Sequence, residues 1–380
     1  MYTHRSPKEQ CQPRAVSRRS IWSPFVSVLL LAPLVALLAS CASPSSGGGT
    51  TAQRATATPT PFALSTPQLV ATPAHAGSPA LLTYAGHGGA PVISLAWSPD
   101  GTRLVSGGDD GSMQVWNATT GAQLLNAGID NFLFAVAWSP DGRYVAGGGR
   151  NGYVDVLDAV TGRTVATYDG QSAFIEGLAW SPNGAQVAFG DVAGTVQVWD
   201  IHSGKRSARC TGPAGPVTRI AWSPDGTRIA AASHDGTVLV CNAASGATLL
   251  TYRGHNAPVW SVAWSPDGKR IVSGTGALGQ FPFVTTSNST HVWDAATGQT
   301  LLAYTGDPGQ VYGLAWSPDG SLVAAAGDDH TVRIWDPSTG KTKQVYTGHA
   351  NIVFDVAWRP DGKVLASCSQ DGTVQLWRAA

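Results

Sequence analysis

The sequence predicts an all-β fold: a closed ring of seven four-stranded antiparallel sheets, completed by a strand that precedes the first repeat. Three observations predict it. The phrase LAWSPDG, or a close variant, recurs seven times, and its tryptophans are Trp97, Trp138, Trp180, Trp222, Trp264, Trp316 and Trp358. Their spacings of 41, 42, 42, 42, 52 and 42 residues mark one supersecondary unit stacked many times. The composition has 45 Gly and 14 Trp but only two glutamates, Glu9 and Glu176, which favours tight turns over helices. Finally, LLTYAGH at Leu81–His87 stands alone before the first repeat, yet returns inside the repeats as LLTYRGH at Leu249–His255.

Each repeat reads as four strands. The first is an apolar run ending at the repeat tryptophan, and Ser-Pro-Asp-Gly then turns the chain. Proline presets φ there and glycine accepts positive φ. A second strand follows, such as residues 103–107, and Asp109-Asp110-Gly111 turns into a third strand ending at Trp116. Asn117–Gly121, echoed at Asp158, Asp200, Asn242, Asp294 and Asp336, leads to a short fourth strand. One such sheet cannot bury both faces, whereas a ring of them can. The seventh repeat ends at Trp377-Arg378-Ala379-Ala380, one strand short. The orphan strand at residues 80–84 is therefore expected to complete it and to hide two sheet edges.

The Gly-His pairs at Gly86-His87, Gly254-His255 and Gly348-His349 resemble WD40 β-propeller repeats. So do the Trp-Asp or Trp-Asn pairs at Trp116, Trp199, Trp293 and Trp335. The resemblance covers about residues 79–380 and implies seven blades. It also implies a His–Ser/Thr–Asp–Trp hydrogen-bond chain within blades, carried in full by His349, Ser369, Asp371 and Trp377 of blade seven. Blade one has His87, Asp110 and Trp116 but Gly108 where the hydroxyl is expected, and blade two, with Asn151 and Leu157, has lost most of the network.

Upstream, five basic residues and Glu9 precede an apolar run from Phe25 to Ala39. This is the layout of a secretory signal. The run closes in Leu38-Ala39-Ser40-Cys41, which resembles the lipobox of bacterial lipoproteins and implies lipidation of Cys41 after cleavage. Residues 1–40 are thus expected to be a signal peptide and 41–77 a Pro/Ser/Thr-rich disordered tether. Residues 78–380 form the propeller. The reading is an exported monomer, held by lipid on the outer side of a bacterial membrane.

The formal net charge is zero and no basic stretch marks a nucleic-acid footprint. Ser338–Thr342 contains a GKT but lacks the upstream glycine and following helix of a phosphate loop. No catalytic or metal-ligand spacing occurs, so neither a cofactor nor a metal is expected. Cys210, Cys241 and Cys368 lie in different repeats, and Cys241 replaces a repeat tryptophan. Cys241 reads as a small buried hydrophobe, and the odd count argues against a disulfide framework.

The resemblance implies a non-enzymatic scaffold that binds a protein or peptide on the top face of the propeller. The rival is an enzyme or small-ligand sensor at the mouth of the central channel: some propellers of other families are enzymes, and WSPDG-like repeats also occur in TolB-like six-bladed propellers. Trp260 is the one tryptophan after the signal that ends no strand of the repeat. Its equivalents are Ile93, Phe134, Glu176, Thr218, Tyr312 and Phe354. Blade five also carries about ten extra residues in GALGQFPFVTTSNS, with Phe281 and Phe283. The expected partner-binding set is Trp260, Tyr312, Phe354, Phe134, Phe281 and Phe283, because large aromatics dominate interface hot spots.

Overall fold

A computed structural model describes residues 79–129, 132–169, 174–276, 290–307 and 309–379. Residues 1–78, with Cys41, and the inserted Phe281 and Phe283 lie outside the described residues. The described chain forms seven four-stranded antiparallel sheets, at 92–128, 133–169, 175–211, 217–252, 259–304, 311–346 and 353–378, the last completed by 82–84. Blades are numbered one to seven in this order. First strands of neighbouring blades touch around the whole ring, and blade seven meets blade one.

The orphan strand closes that ring. Leu82, Thr83 and Tyr84 pair with Leu376, Gln375 and Val374, and Leu81 N donates to Leu376 O at 2.6 Å. The turn chemistry follows the residues. In blade one Ser98 Oγ donates to Asp100 Oδ1 at 2.5 Å and accepts from Arg103 N at 2.9 Å, while Gly101 sits at φ 67°. The repeat tryptophans then tie blade to blade. Trp97, Trp222, Trp264, Trp316 and Trp358 each donate from Nε1 to an alanine carbonyl of the preceding blade at 3.2 Å. Trp138 and Trp180 bury the same N–H without a partner among the described residues.

A second inter-blade contact lies further out. A tyrosine of one blade's fourth strand covers a tryptophan of the next blade's third strand. The pairs are Tyr84–Trp116, Tyr252–Trp293, Tyr304–Trp335 and Tyr346–Trp377, with centroids 4.3–4.5 Å apart and planes within 7°. Tyr168–Trp199 is tilted, at 5.1 Å. Between blades one and two, Ala127 and Leu157 share one apolar cluster instead. Between blades three and four the pair is Cys210 and Cys241, joined as a disulfide. This corrects the expectation against a disulfide. The two cysteines lie in different repeats, but the fourth strand of one blade abuts the third strand of the next, so positions 31 apart meet. Cys368 remains a buried free thiol.

The hydrogen-bond chain also needs correction. In blade seven His349 Nδ1 lies 2.9 Å from Asp371 Oδ2, and its Nε2 lies 2.8 Å from Ser367 Oγ. Trp377 Nε1 donates to the same Ser367 oxygen at 3.1 Å. The hydroxyl is thus Ser367, not Ser369, whose Oγ donates to Asn351 O and accepts from Asp371 N. The reason is register. Trp377 pairs with Leu365 across the strand pair, which brings its ring nitrogen to Ser367. By the same register blade one is complete, through Ser106, which meets His87 at 2.8 Å and Trp116 at 3.2 Å. Gly108 takes no part in that chain.

Candidate functional site

The seven first strands share one irregularity. Pairing with the second strand skips one residue between Val92 and Ser94, Leu133 and Ala135, Ile175 and Gly177, and Val217 and Arg219. It does so again between Val259 and Ser261, Val311 and Gly313, and Val353 and Asp355. The skipped residues are Ile93, Phe134, Glu176, Thr218, Trp260, Tyr312 and Phe354. Each is the extra residue of a β-bulge, a device that re-aims a side chain. Because the first strands are innermost, the bulges ring one end of the channel. The turns after the second strands share that end: His234 N donates to Pro216 O and Asp328 N to Gln310 O, both beside the strand starts.

Three of the expected residues come together there. Trp260 and Tyr312 meet edge to face at 5.4 Å between centroids, and Tyr312 and Phe354 do so at 5.6 Å. All three are partly exposed. His234, in the turn just after blade four's second strand, extends the row by meeting Trp260 at 4.5 Å. Burial lowers the His234 pKa, which favours the neutral ring against the indole. Trp260 Nε1 has no hydrogen-bond partner among the described residues. Tyr312 donates to Gln310 Oε1 at 2.8 Å. Asp328 stands beside it and accepts from Gln310 N at 2.7 Å, its carboxyl raised mainly by burial.

Phe134 differs from the expectation. Its ring is only 9% exposed and lies 6.2 Å from Phe174, which is 38% exposed. The accessible ring on that side is therefore Phe174. Arg150 covers it, with its guanidinium carbon 5.4 Å from the Phe174 centroid and 5.5 Å from that of Phe132. Sequence reasoning passed over Phe174 because it precedes the strand rather than sitting at the repeated position.

One residue beyond the bulges, an ion pair crosses between blades that are not neighbours. Arg219 of blade four donates from Nη2 to Asp355 Oδ1 of blade seven. Ser94 Oγ and Leu95 N of blade one approach Asp355 Oδ2 at 3.4 Å. Burial raises the Asp355 carboxyl and the Arg219 guanidinium counteracts it. At the equivalent position, Gly177 and Gly313 lie so close to the neighbouring strands that a Cβ would meet Arg219 Cα at 2.9 Å and Asp355 Cα at 2.8 Å. The pair bridges the channel beneath the aromatic row. Sequence reasoning missed the pair because the two residues stand 136 positions apart.

The family profile WD40 (WD domain, G-beta repeat) matches the chain seven times, at residues 79–117, 127–158, 162–200, 204–242, 246–294, 298–336 and 340–378. No curated protein matches it.

Proposed function

Because the chain belongs to the WD40-repeat family, whose propellers commonly serve as protein-interaction scaffolds, we propose that it is a non-enzymatic, membrane-tethered scaffold. Its partner is a protein or peptide, bound at the bulge end of the channel. The observation that carries this reading is the edge-to-face row His234–Trp260–Tyr312–Phe354, three of its rings held on strand bulges and His234 on the neighbouring turn, beside the Arg219–Asp355 pair. Rigid aromatic rings give large contact area at low entropic cost. In the same reading Cys41 carries the lipid, residues 42–77 are the tether, and Phe281 and Phe283, which lie outside the described residues, belong to the partner-binding set. The Cys210–Cys241 disulfide supports export, since such bonds persist in oxidising compartments.

The test is capture of partners from envelope fractions by the purified chain, with Trp260→Ala beside wild type. A specific partner that binds wild type and loses about 2 kcal/mol or more with Trp260→Ala is expected. A partner whose affinity ignores Trp260 would move the site elsewhere. Saturable turnover of a small substrate by the purified protein would overturn the scaffold reading.

A further inference from the structure

The mouth is not uniformly apolar. Among the seven bulge residues one is ionisable as a carboxylate, Glu176 of blade three. It has no hydrogen-bond or ion-pair partner among the described residues. Burial pushes its carboxyl up to about 7, and among the described residues no cation pairs with it. The guanidiniums of the adjoining blades are already engaged, Arg219 by Asp355 and Arg150 by Phe132 and Phe174. On the far side of the ring, Asp328 adds a second carboxylate beside Tyr312. Partly exposed aromatic rings combined with under-neutralised carboxylates suit one chemistry, a cation on an apolar stem. An acidic ligand would meet two desolvated carboxylates, and a purely apolar one would leave Glu176 buried without a partner.

We infer that the channel mouth is a receptor for a basic side chain of the protein partner. A lysine or arginine stem lies against Trp260, Tyr312 and Phe354, and its cation reaches Glu176 above the Arg219–Asp355 pair. Arg150 on its two phenylalanines is the same chemistry made within the chain. This inference rests on the partner-binding reading and specifies what that partner must present.

The probes are four labelled pools of degenerate nonapeptides whose central residue is lysine, arginine, norleucine or glutamate. They are titrated against the purified chain, its Glu176→Gln variant and its Trp260→Ala variant, with folding checked by melting. The lysine or arginine pool should bind at least tenfold tighter than norleucine, and the glutamate pool most weakly. Glu176→Gln should erase the preference for a cation. Norleucine binding as tightly as lysine, or an undiminished lysine preference in Glu176→Gln, overturns the inference and leaves partner binding standing if Trp260→Ala still weakens the peptides. Peptide binding that is absent, or indifferent to Trp260→Ala, overturns both.

Discussion

Cys210 and Cys241 stand where five other seams place a tyrosine against a tryptophan, and they meet there as a disulfide. A stacked ring pair contributes about 0.5–1.5 kcal/mol beyond its area burial. A disulfide closing a loop of 31 residues restricts the unfolded chain by about 3–4 kcal/mol in the loop-entropy description. The covalent bond thus replaces, and exceeds, the contact that the seam between blades three and four has lost. Reductant should lower the melting temperature of wild type and leave Cys210→Ser/Cys241→Ser, already destabilised, unchanged. Cys210→Tyr/Cys241→Trp should recover part of the loss. A wild-type melt indifferent to reductant would refute a stabilising role for the bond.

The serine that joins the histidine and tryptophan in blade seven is testable by position. Ser367→Ala leaves His349 Nε2 and Trp377 Nε1 buried without their shared oxygen. Each orphaned group costs about 1–3 kcal/mol. Ser369→Ala removes bonds only at a turn. Chemical denaturation should show Ser367→Ala as clearly the more damaging. A larger effect at Ser369 would restore the assignment that the sequence suggested.

Glu176 makes stability depend on pH in a definite direction. Its carboxyl rises from the ordinary 4.5 to about 7 in the fold, so the folded chain keeps a proton that the unfolded chain releases. Stability therefore falls as pH rises from about 4.5 to about 7, by up to about 3 kcal/mol from this group. Glu176→Gln should raise the melting temperature at pH 8 and change it little at pH 4.5. An equal effect at both pH values would contradict burial as the cause.

His330 is the one non-glycine with positive φ among the described residues, at 67°. It occupies the turn position that Gly111, Gly152, Gly194, Gly236 and Gly372 take in other blades. A side chain in that conformation costs about 1–2 kcal/mol. His330→Gly should stabilise the protein by about 1 kcal/mol, less the added chain entropy of glycine. A destabilised variant would show that the imidazole makes a compensating contact.

The repeat made the architecture legible. Turn residues and strand periodicity act locally, so seven recurrences of Ser-Pro-Asp-Gly, with Ser-Pro-Asn-Gly and Arg-Pro-Asp-Gly as variants, were enough to place the strands. The missing last strand could be matched to Leu81–Tyr84 on the same evidence. Trp260, Tyr312 and Phe354 were legible as neighbours because equal positions in consecutive blades adjoin.

Other features depended on register and on ring closure. A two-residue change of partner across a strand pair separates Ser367 from Ser369, and counting along the chain does not reveal which oxygen reaches Trp377. Cys210 and Cys241 become partners because one blade's outer strand lies on the next blade's third strand. Arg219 and Asp355 become an ion pair only because seven blades close a ring and bring blade four across from blade seven. Local chemistry along the chain determined what each blade is. The geometry of packing the blades around an axis decided which of their side chains meet.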